Sequence, residues 1–183
     1  MNRHLIIGIC GVITFIIPLI QLSIGFNQVV DDGHDANKIC RAASDLPLLL
    51  AIGGIFALFF LGTAYGFLAM IASIDDKQSD ISGKTPKILL GLVSFSFGAI
   101  TFIFFILIQM RVYGAYSNGV QFNNQTATNY CRSTVMGGGL AMIILTYINV
   151  LIFTSIVIFV IVIAYTKRKE KKQENIEMNA NNN

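Results

Sequence analysis

The sequence contains no tryptophan, only three prolines and three cysteines, and very little charge, 13% of 183 residues. A typical soluble domain is about 25% charged. With 54% of the residues hydrophobic and a mean hydropathy of +0.66, a soluble fold of this length could not hide its apolar surface. Cys-x-x-Cys pairs, Walker-type glycine loops, zinc-spaced Cys/His sets and nucleophile constellations are also missing. No residue is left to nominate for thiol exchange, phosphoryl transfer or hydrolysis. The expectation is a non-enzymatic protein with no cofactor, no metal and no nucleic-acid partner.

Charge is scarcest in four long apolar blocks: Leu5 to Ile24, Leu46 to Ile74, Ile88 to Met110 and Val135 to Thr166 contain no Asp, Glu, Lys, Arg or His. The missing carboxylates argue against a proton- or cation-coupled carrier. His4 and His34 lie outside the blocks, which argues against haem held within the membrane. Each block can cross a hydrocarbon core of ~30 Å, which takes about 20 helical residues. Continuous runs also argue against a membrane β-barrel, whose strands alternate in polarity about every second residue. The chain therefore reads as an all-α membrane protein, a four-transmembrane-helix bundle over residues 1–166. Loops fall at 25–45 and 111–134, and a basic, then asparagine-rich tail at 167–183 reads as disordered.

Asp45 with Pro47, and Thr85 with Pro86, mark the starts of the second and third spans. Pro18 sits inside the first span and frees a backbone carbonyl, so a kink is expected there, either as a tolerated structural feature or as a gating hinge. A short basic N-terminus before an apolar run can also be a cleaved signal peptide, with Ser23 and Gly25 near a cleavage position. The length of the run favours a retained helix.

The distribution of Lys and Arg assigns sides. Nine of them lie in the N-terminus, the middle loop and the tail: Arg3, Lys77, Lys84, Lys87, Lys167, Arg168, Lys169, Lys171 and Lys172. The other four, Lys38, Arg41, Arg111 and Arg132, lie in the first and third loops. The positive-inside rule then predicts both termini in the cytoplasm and these two loops in the lumen or outside the cell. Asn124-Gln125-Thr126, in the third loop, is the only N-glycosylation pattern in the chain and falls on that outer side. The expected location is the plasma membrane or a secretory or endosomal membrane.

Cys10 lies in the first span and reads as a packing residue. Cys40 and Cys131 fall one in each outer loop, shortly before an apolar helix, and are candidates for a disulfide in an oxidising compartment. Two free thiols or an intermolecular bridge are the alternatives. The similar "CRAAS" and "CRSTV" segments, with "FNQ" and "FNNQ" upstream, hint at a duplicated helical hairpin, although chance matches of this length are common.

Small residues four apart, Gly62 and Gly66, Ser94 and Gly98, Gly137 and Ala141, are expected at helix contacts inside the bundle, with dimerisation of the chain as the alternative. Asn149, deep in the fourth span, is expected to bond to a neighbouring helix, with a pore-lining role as the alternative. The "DDGHD" segment with Asp31, Asp32 and Asp35 matches no complete metal-binding motif and reads as a solvated loop. Lys167, Arg168, Lys169, Lys171 and Lys172 can contact anionic lipid at the cytoplasmic face.

With both ends inside, two outer loops, a short middle loop and a charged tail, the chain resembles the broad tetraspan class that includes claudins, peripheral-myelin-type proteins and tetraspanins. The resemblance is architectural. The tryptophan-containing first-loop signature of claudins is missing, and "YCRS" stands where tetraspanins carry Cys-Cys-Gly, so no functional residue is carried over. The expected role is membrane organisation, adhesion or service as an accessory subunit, with the lipid bilayer and other membrane proteins, or further copies of itself, as partners. An oligomeric channel or transporter is the alternative.

Overall fold

The computed structural model describes residues 3–32, 40–72, 84–124 and 126–181. Four helices dominate them: α1 (Arg3–Asp32), α2 (Leu46–Ala72), α3 (Lys84–Ser117) and α4 (Ser133–Asn181). At 1.5 Å per residue these are about 45, 40, 51 and 73 Å long, each more than a hydrocarbon core of ~30 Å. Apolar membrane-length segments lie at Gly11–Val30, Leu46–Ile71, Pro86–Ser117 and Ser133–Thr166. The architecture is an all-helical, four-span bundle. The connections after α1 and after α3 meet at one end, where Cys40 and Cys131 are bonded.

Three helices run further than their apolar blocks. α1 continues past Ile24 to Asp32, through residues assigned to a loop on sequence. Nothing in "FNQVVDD" breaks a helix, and Gly25 lies inside the helix, packed on α2. α3 passes Met110 and ends at Ser117 in a Schellman motif: Val120 N–H donates to Ala115 O and Gly119 N–H to Tyr116 O, both at 3.1 Å. Gly119 takes the left-handed conformation that this motif requires, with φ of +69°.

The third extension corrects the expectation of a disordered tail, because α4 is helical as far as Asn181. After Gly139 the chain has neither glycine nor proline, and Lys, Arg, Glu, Gln and Met in the tail all have high helix propensity. Composition without a breaker lets the helix propagate out of the membrane.

The middle loop 73–83, most of the "DDGHD" segment and Gln125 lie outside the described residues, as do the side chains of Cys10, Asp31, Asp32, Lys167, Arg168, Lys171 and Lys172. Lys169 is exposed.

α2 is the central helix, packed extensively along both α1 and α3, while α4 lies more loosely against the bundle. Packing is tightest near the disulfide, where Leu46, Leu50, Val112, Val135 and Met136 are each at most 1% exposed. Deeper in the bundle the interior turns aromatic. Phe153 of α4 meets Phe60 and Tyr65 of α2 edge-on, with ring centroids 5.5 and 5.8 Å apart, and Phe15 of α1 lies 5.7 Å from Tyr65.

Candidate functional site

Two regions carry the polar chemistry: a cap at the disulfide end and a cavity in mid-bundle. The cap begins with the bond between Cys40 and Cys131, which closes 91 residues of chain. Both half-cystines are buried, at 2% and 0% exposure. Backbone bonds brace the crossing: Arg41 N–H donates to Tyr130 O at 2.8 Å, Cys131 N–H to Gln121 O at 2.9 Å and Gln121 N–H to Asn129 O at 3.0 Å. Asn129 Nδ2 donates to Gly119 O at 2.6 Å and ties the loop to the end of α3. An ion pair between Arg111 Nη2 and Asp45 Oδ2, at 2.8 Å, joins α3 to the start of α2. Both partners are well exposed, so this pair contributes little, about 0–1 kcal/mol.

Asn124 stands exposed on this cap. Its Oδ1 accepts from Thr126 N–H at 3.1 Å and from Thr126 Oγ1 at 2.7 Å, a local turn that binds the first and third residues of the glycosylation pattern to each other. Arg41 Nη1 donates to Thr126 O at 3.3 Å and anchors that turn to the opposite loop. Beside it, Tyr116 and Phe122 form an aromatic pair, with centroids 6.5 Å apart and both rings partly exposed. Nothing in the sequence marks these two as a pair; Tyr116 lies one residue before the end of α3 and Phe122 opens the "FNNQ" segment.

No family model, curated protein or solved structure matches the chain. What it shares with tetraspan proteins is four helices long and apolar enough to cross a membrane.

The second region is a cavity of about 210 Å³ to which all four helices contribute. Its polar lining is Gln21, Thr101, Thr146 and Asn149, set among apolar groups including Ile108 and Phe153. Gln21 Nε2 donates to Leu50 O at 3.3 Å, Thr101 Oγ1 to Phe97 O at 2.8 Å and Thr146 Oγ1 to Met142 O at 2.7 Å. Asn149 Nδ2 reaches across to Thr14 O of α1 at 3.2 Å. Thr14 is four residues before Pro18, which has no N–H to offer that carbonyl. The proline-freed acceptor is therefore served from another helix. Thr14 Oγ1 in turn donates to Gly11 O at 2.7 Å and lies 2.9 Å from Tyr65 Oη.

The small residues divide by face. Gly98 receives the Phe60 ring, since a Cβ there would lie 3.0 Å from Phe60 Cε2; Ser94 is buried; and Gly66 faces Leu90. Gly62 and Gly137 have open space where a Cβ would stand, and all of Gly62, Gly137 and Ala141 are exposed, so these three are not at contacts between the helices of this chain. The tightest approaches fall at glycines that the spacing did not single out. A Cβ on Gly25 would collide with the backbone of Ala51, one on Gly54 would lie 2.9 Å from Leu22 N, and one on Gly139 would lie 2.9 Å from Val112 Cγ2. Spacing of four puts residues on one face but does not say which face meets a neighbour when the helix is apolar all round.

Among the described residues, no group of three His, Cys, Asp or Glu is placed to hold a metal ion.

Proposed function

We propose that this is a non-enzymatic membrane-organising, adhesion or accessory-subunit protein that presents its disulfide-braced cap to other membrane proteins on the lumenal or extracellular side, with both termini in the cytoplasm. The observation that carries this reading is the crosslinked, hydrogen-bonded build of the cap. A crosslink and a lattice of backbone bonds hold the Tyr116–Phe122 pair and the Asn124 turn on one small surface. Preorganised aromatic side chains make efficient interface anchors, because little conformational freedom remains to be lost on binding.

The orientation draws on two independent features, the excess of Lys and Arg in the other segments and a disulfide that needs an oxidising compartment to persist. Glycosylation at Asn124 belongs to the same reading. It is supported by exposure and by the Asn124–Thr126 contact.

The reading is tested by placing a photocrosslinking residue at Phe122 in cells and comparing the captured proteins with those from a Cys40→Ser variant. Discrete adducts that disappear when the brace is removed support a cap-mediated role. Adducts unchanged by Cys40→Ser would remove its basis. The alternative, an oligomeric channel or transporter, is favoured by the position of Asn149 on the cavity wall. Reproducible flux in liposomes that Asn149→Leu abolishes would put that reading first.

A further inference from the structure

We propose that the mid-bundle cavity binds a neutral single-ring aromatic molecule of benzene to toluene size, held by the phenyl rings that line it.

Size comes first. α2 lines the space with Gly53 and Ala57, four residues apart and so on one face of the helix, and neither has a side chain long enough to fill it. A cavity of about 150 Å³ lined by Leu, Ile and Phe stays dry and takes up benzene. At about 210 Å³ this one has room for a ring and a small substituent.

The wall then selects the class of occupant. Phe60 of α2, Phe104 and Phe105 of α3 and Phe153 of α4 all line the space, together with the thioether of Met142. Each ring also leans on another aromatic side chain. Phe104 stacks on Phe56 with centroids 5.6 Å apart, Phe105 meets Tyr147 edge-on at 5.2 Å, and Phe153 meets Phe60 and Tyr65 edge-on at 5.5 and 5.8 Å. Rings engaged with one another in this way leave the space open between them. An aromatic guest gains ring-to-ring attraction beyond its buried area, and a sulfur–ring contact in addition. A saturated guest of the same volume gains neither.

The polar side chains on the wall do not call for a polar guest. Thr101 and Thr146 direct their hydroxyls at carbonyls of their own helices, Gln21 donates to Leu50 O and Asn149 to Thr14 O. A water molecule needs two to four polar partners, and a wall built this way is poor in them. An uncharged ring has no hydrogen bonds to satisfy, so it gives up nothing on leaving the hydrocarbon of the bilayer. Packed helices shift against each other on microsecond to millisecond timescales, so occupancy does not depend on a standing channel.

The test uses the full chain in lipid nanodiscs, fluorobenzene as the probe and fluorine NMR as the readout. The expected result is a bound resonance, absent from protein-free nanodiscs, that saturates at a single molecule per chain. Toluene should displace it at a bilayer mole fraction about two- to tenfold lower than methylcyclohexane, which matches toluene in size and lacks the π-system. Ala57→Phe supplies a ring of its own from α2, and Thr146→Leu intrudes from α4. Each should abolish the bound resonance while the Cys40–Cys131 bond still forms. A fluoroanthracene, with three fused rings, should give no saturable resonance in the wild type, a control that depends on no substitution. A wild type without a saturable fluorobenzene resonance, a resonance that survives Ala57→Phe or Thr146→Leu in disulfide-bonded protein, or saturable binding of fluoroanthracene would overturn the site. Equal displacement by toluene and methylcyclohexane would overturn the selection of an aromatic guest.

Discussion

Asn149 Nδ2 and the backbone oxygen of Thr14 lie 3.2 Å apart, 135 residues apart in sequence, at the point where Pro18 interrupts the hydrogen-bond ladder of α1. The amide on α4 completes a helix that it does not belong to. In a bilayer no water stands by to take over that carbonyl, so the pair links the geometry of α1 to the seating of α4.

The pairing predicts a particular non-additivity. Asn149→Leu should destabilise the bundle by about 0.6–1.7 kcal/mol, the usual range for hydrogen bonds between membrane helices. Pro18→Ala restores an N–H that can serve Thr14 O, so Asn149→Leu should cost less in the Pro18→Ala background. A double-mutant cycle on detergent unfolding checks this, and additive effects would separate the two residues.

Gly25 and Gly54 should tolerate alanine far less well than Gly62. At the first two positions the added methyl meets the backbone of the facing helix, which has no flexible end to move aside. Gly25→Ala or Gly54→Ala should cost about 1–3 kcal/mol through overpacking. Gly62→Ala, facing open space, should be neutral or stabilising, because alanine is the better helix former by about 1 kcal/mol. Parallel unfolding curves for the three variants decide the matter.

Cys40→Ser should release a labellable thiol at Cys131, in addition to any label taken by Cys10, and lower stability. The chain-entropy model assigns about 4.7 kcal/mol to a closed loop of about 100 residues. The loss here should be smaller, since membrane insertion already restricts the unfolded chain. Non-reducing gels with maleimide labelling, followed by unfolding measurements, provide both readouts.

Glycosidase should increase the gel mobility of protein made in a eukaryotic secretory pathway, and Asn124→Gln or Thr126→Ala should abolish the shift. An unshifted wild type labelled at Cys131 by a reagent confined to the cytosol would reverse the orientation.

The spans were legible because the bilayer imposes a length and a composition that ordinary packing does not. Leu46 and Val135 begin apolar runs that polar loops delimit, and both prove to lie deep in the packed end of the bundle. The cysteine pair was legible because Cys40 and Cys131 occupy matching positions before the second and fourth spans. Contact faces were not legible. Gly62 and Gly54 look alike in an all-apolar helix, where no polar side marks what is turned outward, and only the fold distinguishes them. Helix ends were misjudged for a related reason. The end of an apolar run marks where hydrocarbon stops, whereas a helix needs a breaker to stop, and neither "FNQVVDD" nor the lysine-rich tail supplies one. Pro18 in an apolar span frees a carbonyl, and the i to i−4 register of the helix identifies it as that of Thr14. Nothing in the linear chain says that Asn149 is its partner.

The bond between Cys40 and Cys131 also sets an order of events during synthesis. The first cysteine emerges 91 residues before the second, and at about 5–20 residues per second the ribosome needs roughly 5–20 s to close that gap. Throughout this interval Cys40 carries an unpaired thiol, open to oxidation or to pairing with a different chain. Whatever keeps Cys40 available until Cys131 is made decides whether the two loops are braced within one chain or mispaired between chains.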